Sequence, residues 1–296
     1  MSATTGTAHA SLVATLHRLR NRDGGWPYYG GRHSRLESTC WAVLGTGASL
    51  DSTPLAGWVN PDGLLVEPSS GEVNFGFNGL AALVMSAPQL VMSPMTRRIV
   101  SALIEARGVA APTSPVIRQD TSLQAWSWTR GTFSWVEPTA WCMLALKRWP
   151  GLPEATRARV AVAEEVLRDR VCPGGGWNFG NGEVYGQGLP AHVPTTAAGV
   201  LALQDRSNDP LVQSAVAFLE RAALLEGSTT ALALSALALA SIDRPSARIV
   251  AALGAHAPAS ESFGNIAALG MAAYALDCAA HSVRPPAFAL RTETRQ

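Results

Sequence analysis

The stretch GTFSWVEPTAWCMLALKRWPG (Gly131–Gly151) joins an aromatic, turn-like segment to an apolar helical one. One carboxylate, Glu137, stands at the junction, immediately before Pro138. An acid at the start of an otherwise apolar helix either caps that helix or belongs to a functional site. The choice depends on whether the stretch occurs once or is one copy of a repeat, because internal repeats define the fold.

The pattern of this stretch recurs along the chain. Residues 136–144 (VEPTAWCML) align with residues 36–44 (LESTCWAVL), and Glu, Thr and Trp recur in register. A third copy, residues 193–201 (VPTTAAGVL), keeps the Thr and has Pro in place of Glu. Weaker copies begin near Asn78, Thr230 and Asn265. The sequence therefore predicts six apolar helices in a shared register.

Amphipathic segments alternate with the apolar ones. They lie at about residues 9–20, 55–59, 93–108, 152–170, 209–225 and 244–256. Helices that are apolar all round must be buried, whereas helices with one charged face belong outside. Six of each class predict an all-α fold, an (α/α)6 toroid that forms a single domain over residues 1–296. Repeats cover about residues 9–278, and residues 279–296 form a C-terminal tail. An open solenoid is the alternative, although neither end shows a polar capping repeat.

Composition and charge exclude several classes of function. The chain is 47% hydrophobic and 15% charged, and its net charge of +1 provides no electrostatic footprint for nucleic acid. The four cysteines form no CxxC pair, which indicates reduced thiols in a cytoplasmic protein rather than disulfides or a zinc site. The N-terminus lacks the pattern of a signal peptide. The longest apolar run, about 14 residues, is too short to span a bilayer, which leaves only peripheral membrane contact open.

Glycine-tryptophan loops precede the repeated helices, at Gly24-Gly25-Trp26 and Gly175-Gly176-Trp177. Such loops followed by Thr-Ala helices resemble the repeats of the squalene cyclase, terpene cyclase and protein prenyltransferase β-subunit superfamily. The resemblance covers at least residues 9–278. It implies an α/α toroid with an apolar central cavity for an isoprenoid chain, without a cofactor. No convincing zinc triad of the prenyltransferase kind is found, so no metal site is predicted.

The resemblance also gives Glu137 a role. Class II terpene cyclases have an Asp-x-Asp-Asp-Thr-Ala motif whose middle Asp protonates an alkene or an epoxide. In the sequence WVEPTA, Glu137 stands at the proton-donor position, while Trp135 and Pro138 replace the neighbouring acids. Glu37 has the same register in the first copy. Asp120, in a long segment between helices, is a third candidate acid.

Aromatic and basic residues cluster before the apolar helices. Because equivalent positions of a cyclic repeat share one end of the ring, these side chains are predicted to line one pocket. The rings would stabilise cationic intermediates, and the arginines and His192 would bind a diphosphate or a carboxylate. The predicted substrate-binding residues are Trp126, Trp128, Trp135, Phe179, Tyr185, His192, Arg32 and Arg35.

Three functional hypotheses follow. The first is an enzyme that cyclises or isomerises an isoprenoid or similar apolar substrate, with Glu137 as the proton donor. The second is transfer of a prenyl group from a diphosphate, with Arg32, Arg35 and His192 on the phosphates. The third is a non-catalytic isoprenoid-binding or partner subunit that kept the toroid. The sequence indicates an apolar small molecule as the ligand and does not give the oligomeric state.

Overall fold

The computed structural model describes residues 3–86, 93–148 and 153–290. Within these ranges it contains eleven α-helices, three short 3₁₀ helices and one antiparallel two-stranded ribbon. The α-helices are α1 (Ala3–Arg18), α2 (Leu36–Thr46), α3 (Phe75–Ser86), α4 (Pro94–Glu105), α5 (Val136–Lys147), α6 (Glu154–Asp169), α7 (Val193–Ala202), α8 (Pro210–Glu226), α9 (Thr229–Ser241), α10 (Ala247–Phe263) and α11 (Ile266–His281). The ribbon pairs β1 (Glu183–Val184) with β2 (Gln187–Gly188). None of the helices in the described ranges is long and apolar enough to cross a bilayer.

Six of these helices form a closed inner ring. The order around the ring is α2, α3, α5, α7, α9 and α11, and α11 packs against α2 to complete the circle. Their side chains are buried almost throughout. Helices α1, α4, α6, α8 and α10 form the outer layer, and the 3₁₀ helix Pro54–Trp58 stands in the sixth outer position. The predicted (α/α)6 toroid is therefore confirmed.

Glycines show that neighbouring inner helices run parallel. A Cβ on Gly76 would lie 3.1 Å from the Pro138 Cα, and one on Gly79 would lie 2.8 Å from the Cys142 nitrogen. The contact thus advances along α3 and α5 in the same direction. A Cβ on Gly270 would lie 2.5 Å from the Trp41 carbonyl carbon, so the α11–α2 contact that closes the ring also requires a residue without a side chain.

Three buried tryptophans tie the outer helices to the inner ones. Each donates its indole N–H to a carbonyl in the last turn of the preceding outer helix. The bonds are Trp26 to Leu16 (2.7 Å), Trp126 to Leu103 (2.9 Å) and Trp177 to Leu167 (2.6 Å). Their backbone N–H groups donate to the repeated threonines, Thr39, Thr139 and Thr196. The Thr of the sequence repeat is therefore a structural element of the fold.

The same loops also connect adjacent inner helices. In each loop, the carbonyl two residues after the tryptophan accepts the N–H of the first residue of a neighbouring inner helix, a group that no carbonyl of its own helix can satisfy. The pairs are Ile266 to Tyr28 (2.9 Å), Phe75 to Trp128 (2.9 Å) and Val136 to Phe179 (3.0 Å). The Tyr28 bond joins α11 to the loop before α2, where the ring closes.

The C-terminal segment enters the ring from the end opposite to these loops. The sequence predicts a tail from residue 279, but α11 continues to His281, and the part of the segment described up to residue 290 packs inside. Phe288 is fully buried against Trp41, Trp141 and Tyr274. The segment therefore closes one end of the toroid.

Candidate active site

The open end of the ring is the one at which the inner helices begin. There, each inner helix has a partly exposed residue in its first turn, although most of the helix is buried. These residues are Glu37, Phe77, Glu137, Pro194, Thr230 and Ala268. Glu37 and Glu137 are each the second residue of their helix, and α3 lies between α2 and α5. The shared register of the repeat thus places both carboxylates at the same end of the ring.

Three aromatic rings lie beneath the glutamates. Trp41 and Trp141 come four residues after Glu37 and Glu137, one turn further along the same helix faces. Their ring centroids are 5.9 Å apart in an edge-on arrangement, and Phe288 lies 5.7 and 5.6 Å from them. All three rings are almost wholly buried. They form an apolar floor beneath the glutamates, and we refer to the partly exposed end of the ring around Glu37 and Glu137 as the chamber.

Glu137 is a weak acid in this setting. The pKa of its carboxyl group is raised to about 7. Burial is the main cause, the negative charge of Glu37 contributes to the rise, and a hydrogen bond with the Trp141 indole partly offsets both. The Glu137 side chain is thus partly accessible yet strongly desolvated. In the described chain, the hydrogen-bond partner of its carboxylate is that indole and not a backbone N–H of the first turn. This position differs from that of a helix cap.

Glu37 has a different environment. Tyr28, in the loop before α2, donates its hydroxyl to a Glu37 oxygen, and this hydrogen bond favours the ionised carboxylate. Burial nevertheless raises the pKa of Glu37 above its ordinary value, and the charge of Glu67 adds to the rise. Because two nearby carboxylates do not both ionise easily, the negative charge of Glu37 raises the pKa of Glu137.

Arg35 and Glu67 form a partly buried ion pair beside this group. Arg35 Nε lies 2.9 Å from Glu67 Oε2, and the guanidinium packs over the Tyr28 ring at 5.6 Å. Glu67 is 5% exposed, and burial raises its pKa even though Arg35 lowers it in part. The sequence prediction missed Glu67 because it lies in a loop outside the helical repeat. Its tripeptide, Val66-Glu67-Pro68, nevertheless repeats that around Glu137 and was the available signal.

Aromatic side chains surround the opening of the chamber. Trp128 meets Phe77 edge-on at 5.7 Å between ring centroids. Trp135, the residue before α5, contacts Phe133 at 5.6 Å. Phe179 meets the ring of His192, the residue before α7, at 4.7 Å. Trp128, Trp135 and His192 are partly exposed and Phe179 is 53% exposed, so these four predicted residues are accessible at the same end of the ring as the glutamates.

Other predicted site residues lie apart from the chamber. Trp126 is fully buried between outer and inner helices, with Arg159 over its ring at 4.2 Å, so it holds the fold together and its ring is closed to a substrate. Asp120 is exposed, and hydrogen bonds from Ser122 hold its pKa below the ordinary value, which is opposite to the need of a proton donor. Tyr185 is 75% exposed beside the ribbon.

The two predicted arginines have different surroundings. Arg35 is paired with Glu67, as described above. Arg32 is exposed and lines a surface cleft of about 690 Å³ together with Asn21, Asp23 and Ser69. Ser69, which lines this cleft, also accepts a hydrogen bond from Arg35 Nη1 at 3.2 Å. In the described residues, no group of three or more His, Cys, Asp or Glu side chains is placed to hold a metal ion.

The raised pKa of Glu137 predicts a specific pH dependence of stability. The folded protein holds this proton up to pH about 7, whereas the unfolded chain releases it near the ordinary value of 4.5. The contribution of Glu137 to the free energy of unfolding is therefore complete below pH 4.5 and decreases as the pH rises to about 7. Glu137→Gln cannot ionise and should lack this decrease.

Denaturant unfolding of both proteins across this pH range is the measurement. We expect similar stabilities at low pH and a variant that is more stable than the wild type above pH about 7. Parallel stability curves for the two proteins would mean that Glu137 titrates as an ordinary, solvated carboxylate.

Comparisons with known proteins agree with this architecture. No protein-family model matches the sequence, and no curated protein matches it. A crystal structure of a protein from Actinoplanes is similar over 93% of this chain and 99% of its own, with a TM-score of 0.62 and 16% identity. The type II terpene cyclase MstE from Scytonema, in complex with the substrate geranylgeranyl dihydroxybenzoate, matches over 95% of this chain and 98% of its own, with a TM-score of 0.57 and 15% identity.

A third solved structure shows that a protein with a different activity shares this fold. An endo-1,4-D-glucanase from Vibrio fischeri matches over 88% of this chain and 93% of its own, with a TM-score of 0.59 and 10% identity. At such identities the similarity concerns the fold, and a fold hosts unrelated activities. The chain therefore has a terpene cyclase-like α/α toroid fold.

Proposed function

We propose that this protein is an enzyme of the class II terpene cyclase type, in which Glu137 protonates an isoprenoid or similar apolar substrate. The observation that supports this proposal is the pair of desolvated carboxylates above an aromatic floor, one of them with a pKa of about 7. An acid with that pKa is protonated in a large fraction of molecules near neutral pH and still donates its proton readily. The fold that the chain shares with a terpene cyclase adds support.

The proposed reaction begins at the Glu137 carboxyl group. Its O–H bond breaks, and the proton forms a new bond to an alkene carbon or an epoxide oxygen of the substrate. The positive charge then develops on a substrate carbon, where the electron pair of a neighbouring double bond attacks and closes a ring. Loss of a proton from the final cation gives an alkene, and a proton from solvent restores Glu137. The net change is an isomerisation.

The other residues of the chamber would stabilise a cationic intermediate of the substrate. The negative charge of Glu37, held by the Tyr28 hydroxyl, stabilises positive charge on the substrate in a site of low polarity. The ring of Trp128, which is partly exposed at the opening, adds cation–π attraction. Glu137 lacks the acidic neighbours of the Asp-x-Asp-Asp motif, so we expect it to favour an easily protonated group, such as an epoxide, over a bare alkene.

The position of Arg35 favours this hypothesis over prenyl transfer from a diphosphate. A diphosphate site needs cationic side chains that are free to bind oxyanions. Arg35 faces Glu67 at 2.9 Å, and Arg32 lies on the outer surface. Of the three residues predicted to bind phosphates, His192 lies at the opening of the chamber.

Turnover of two matched substrates tests the proposal. Geranylgeraniol and its terminal epoxide share a carbon chain and differ in how easily the reacting end is protonated. We expect conversion of the epoxide to cyclic isomers of unchanged mass, faster than conversion of the alkene, at a rate that falls as the pH rises above about 7 because the acid form of Glu137 is lost. Gas chromatography with mass spectrometry detects the products.

Two results would contradict the proposal. Binding of both compounds without conversion at any pH would favour the non-catalytic binder. Hydrolysis of a 1,4-linked glucan, the activity named for the third structural neighbour, would point to glycoside chemistry at the two carboxylates instead.

A further inference from the structure

The surface cleft beside Arg32 belongs to the open end of the ring and contains neither glutamate of the chamber. It has a volume of about 690 Å³ and is formed by the loop between α1 and α2 together with two residues of the segment before α3. Three of its lining side chains are basic, namely Arg22, Arg32 and His33. The cleft is therefore a concave surface in which basic groups are concentrated.

These basic side chains have no partner within the described ranges. Most other arginines there bond to an acid, a hydroxyl or a carbonyl oxygen, as Arg168 does to Asp209. The guanidinium groups of Arg22 and Arg32 form no hydrogen bond or ion pair with a described residue, and neither does the ring of His33. All three side chains are exposed. They are thus available to bind an oxyanion.

The acidic residue of the cleft is already hydrogen-bonded. Asp23 accepts the Ser34 hydroxyl at 2.8 Å and the Gly25 N–H at 2.9 Å. The Asn21 amide donates to the Arg32 carbonyl at 3.0 Å and to the Ser34 hydroxyl oxygen at 2.9 Å. These bonds cross-link the loop on both sides of the cleft residues. The cleft therefore combines an excess of positive charge with a backbone that is held in place.

Ser69 adds a donor from a second segment of the chain. Its hydroxyl oxygen accepts from Arg35 Nη1 at 3.2 Å, which leaves the hydroxyl hydrogen for a ligand. Arg35 itself faces Glu67 at 2.9 Å, so its charge is compensated.

We propose that this cleft binds a phosphate group, carried either by a soluble phosphate ester or by a lipid headgroup. The inference does not depend on the proposed reaction at Glu137. Two guanidinium forks, an imidazole and a hydroxyl can offer about six hydrogen-bond donors, whereas a carboxylate has about four acceptor positions. A phosphate ester has three acceptor oxygens and a charge of about −1.5 to −2, and guanidinium groups bind such oxygens in pairs.

Titration of the full chain with inorganic phosphate tests the site. Phosphorus NMR at constant ionic strength measures the affinity, and we expect saturable binding that is tighter than that of acetate. Arg22→Gln and Arg32→Gln each remove a charge-assisted contact and should weaken binding about tenfold. Arg32→Lys keeps the charge without the planar fork, so it should weaken binding less than Arg32→Gln.

Arg97→Gln is the matched control for the change in net charge. Arg97 is an exposed residue of α4 whose guanidinium also has no partner among the described residues, and it does not line the cleft. This variant should bind phosphate as the wild type does. The substituted side chains are exposed, so thermal unfolding should show similar stabilities for all of these proteins. Absence of saturable binding in the wild type, equal affinities in the wild type and both cleft glutamine variants, or an equal loss in Arg97→Gln would overturn the inference.

Vesicles distinguish the two sources of the phosphate group. Tyr29, three residues before Arg32 in the same loop, is 52% exposed, and a tyrosine at this position suits the interface of a bilayer whose headgroups enter the cleft. Cosedimentation with phosphatidylcholine vesicles, with and without phosphatidic acid, is the measurement. Retention that requires phosphatidic acid and is lost in Arg32→Gln and in Tyr29→Ala would identify a lipid headgroup. Binding of inorganic phosphate without retention on either vesicle would identify a soluble phosphate ester.

Discussion

Glu137→Gln should reduce turnover of an accepted substrate by about 10²- to 10⁴-fold, which is the usual loss when a general acid is removed. Glutamine keeps the size of the side chain and can still bond to the Trp141 indole, but it has no proton of suitable acidity to donate. Substrate binding should change little, because the neutral amide resembles the protonated acid that the substrate meets. The effect should therefore appear in kcat and leave KM nearly unchanged.

Two further variants serve as a control for that result and as a test of the role of Glu37. Glu72→Gln makes the same chemical change at an exposed position and should retain full activity. Glu37→Gln removes the negative charge whose repulsion helps to raise the pKa of Glu137, so the falling limb of its pH–rate profile should move to lower pH. Equal kcat values for wild type and Glu137→Gln would reject Glu137 as the acid. If Glu37→Gln lowers kcat but leaves the pH–rate profile unshifted, Glu37 contributes to turnover without influencing the pKa of Glu137.

Trp126→Ala should lower the free energy of unfolding by about 3–5 kcal/mol, as expected for removal of a fully buried aromatic side chain. The indole is 0% exposed and donates to the Leu103 carbonyl at 2.9 Å. Its loss would also take away the ring that packs against the Arg159 guanidinium. Denaturant or thermal unfolding at a single pH measures the change.

Trp128→Ala is the matched comparison, because it removes the same side chain two residues away. Trp128 is partly exposed at the opening of the chamber and packs on Phe77. We expect a smaller loss of stability than at Trp126 and weaker binding of an apolar ligand. The opposite pattern, with Trp126→Ala affecting binding while stability is retained, would contradict the assignment of these two residues.

The repeat register made much of this architecture predictable. Helices with the same pattern occupy equivalent positions in a ring, so the common register of Glu37 and Glu137 placed both acids at one end without knowledge of any contact between them. The same principle would have assigned Trp126 correctly. It stands thirteen residues before Thr139, as Trp26 stands before Thr39, and both bond to that threonine. The density of tryptophans around residue 126 obscured this equivalence.

The remaining parts of the site depend on contacts that no local pattern encodes. Phe288 reaches the floor because Arg148 and Gln204 hold backbone atoms of a segment far away in the chain. Glu67 approaches Arg35 through a loop that has no counterpart in the other repeats. Trp41 and Trp141 were visible in the repeat, but only the structure shows that their rings meet at 5.9 Å.

Closure of the ring between the first and last inner helices has a consequence for folding. Each outer helix and the inner helix after it are neighbours in sequence, so such pairs can form early, whereas the bond from Ile266 to the Tyr28 carbonyl joins distant parts of the chain. Contacts of large sequence separation form slowly, which makes this closure a late event. Before it, the carboxyl groups of Glu37 and Glu137 would be solvated and ordinary in acidity. We therefore expect the raised pKa of Glu137 to develop as the circle closes, so that its titration would report this folding step.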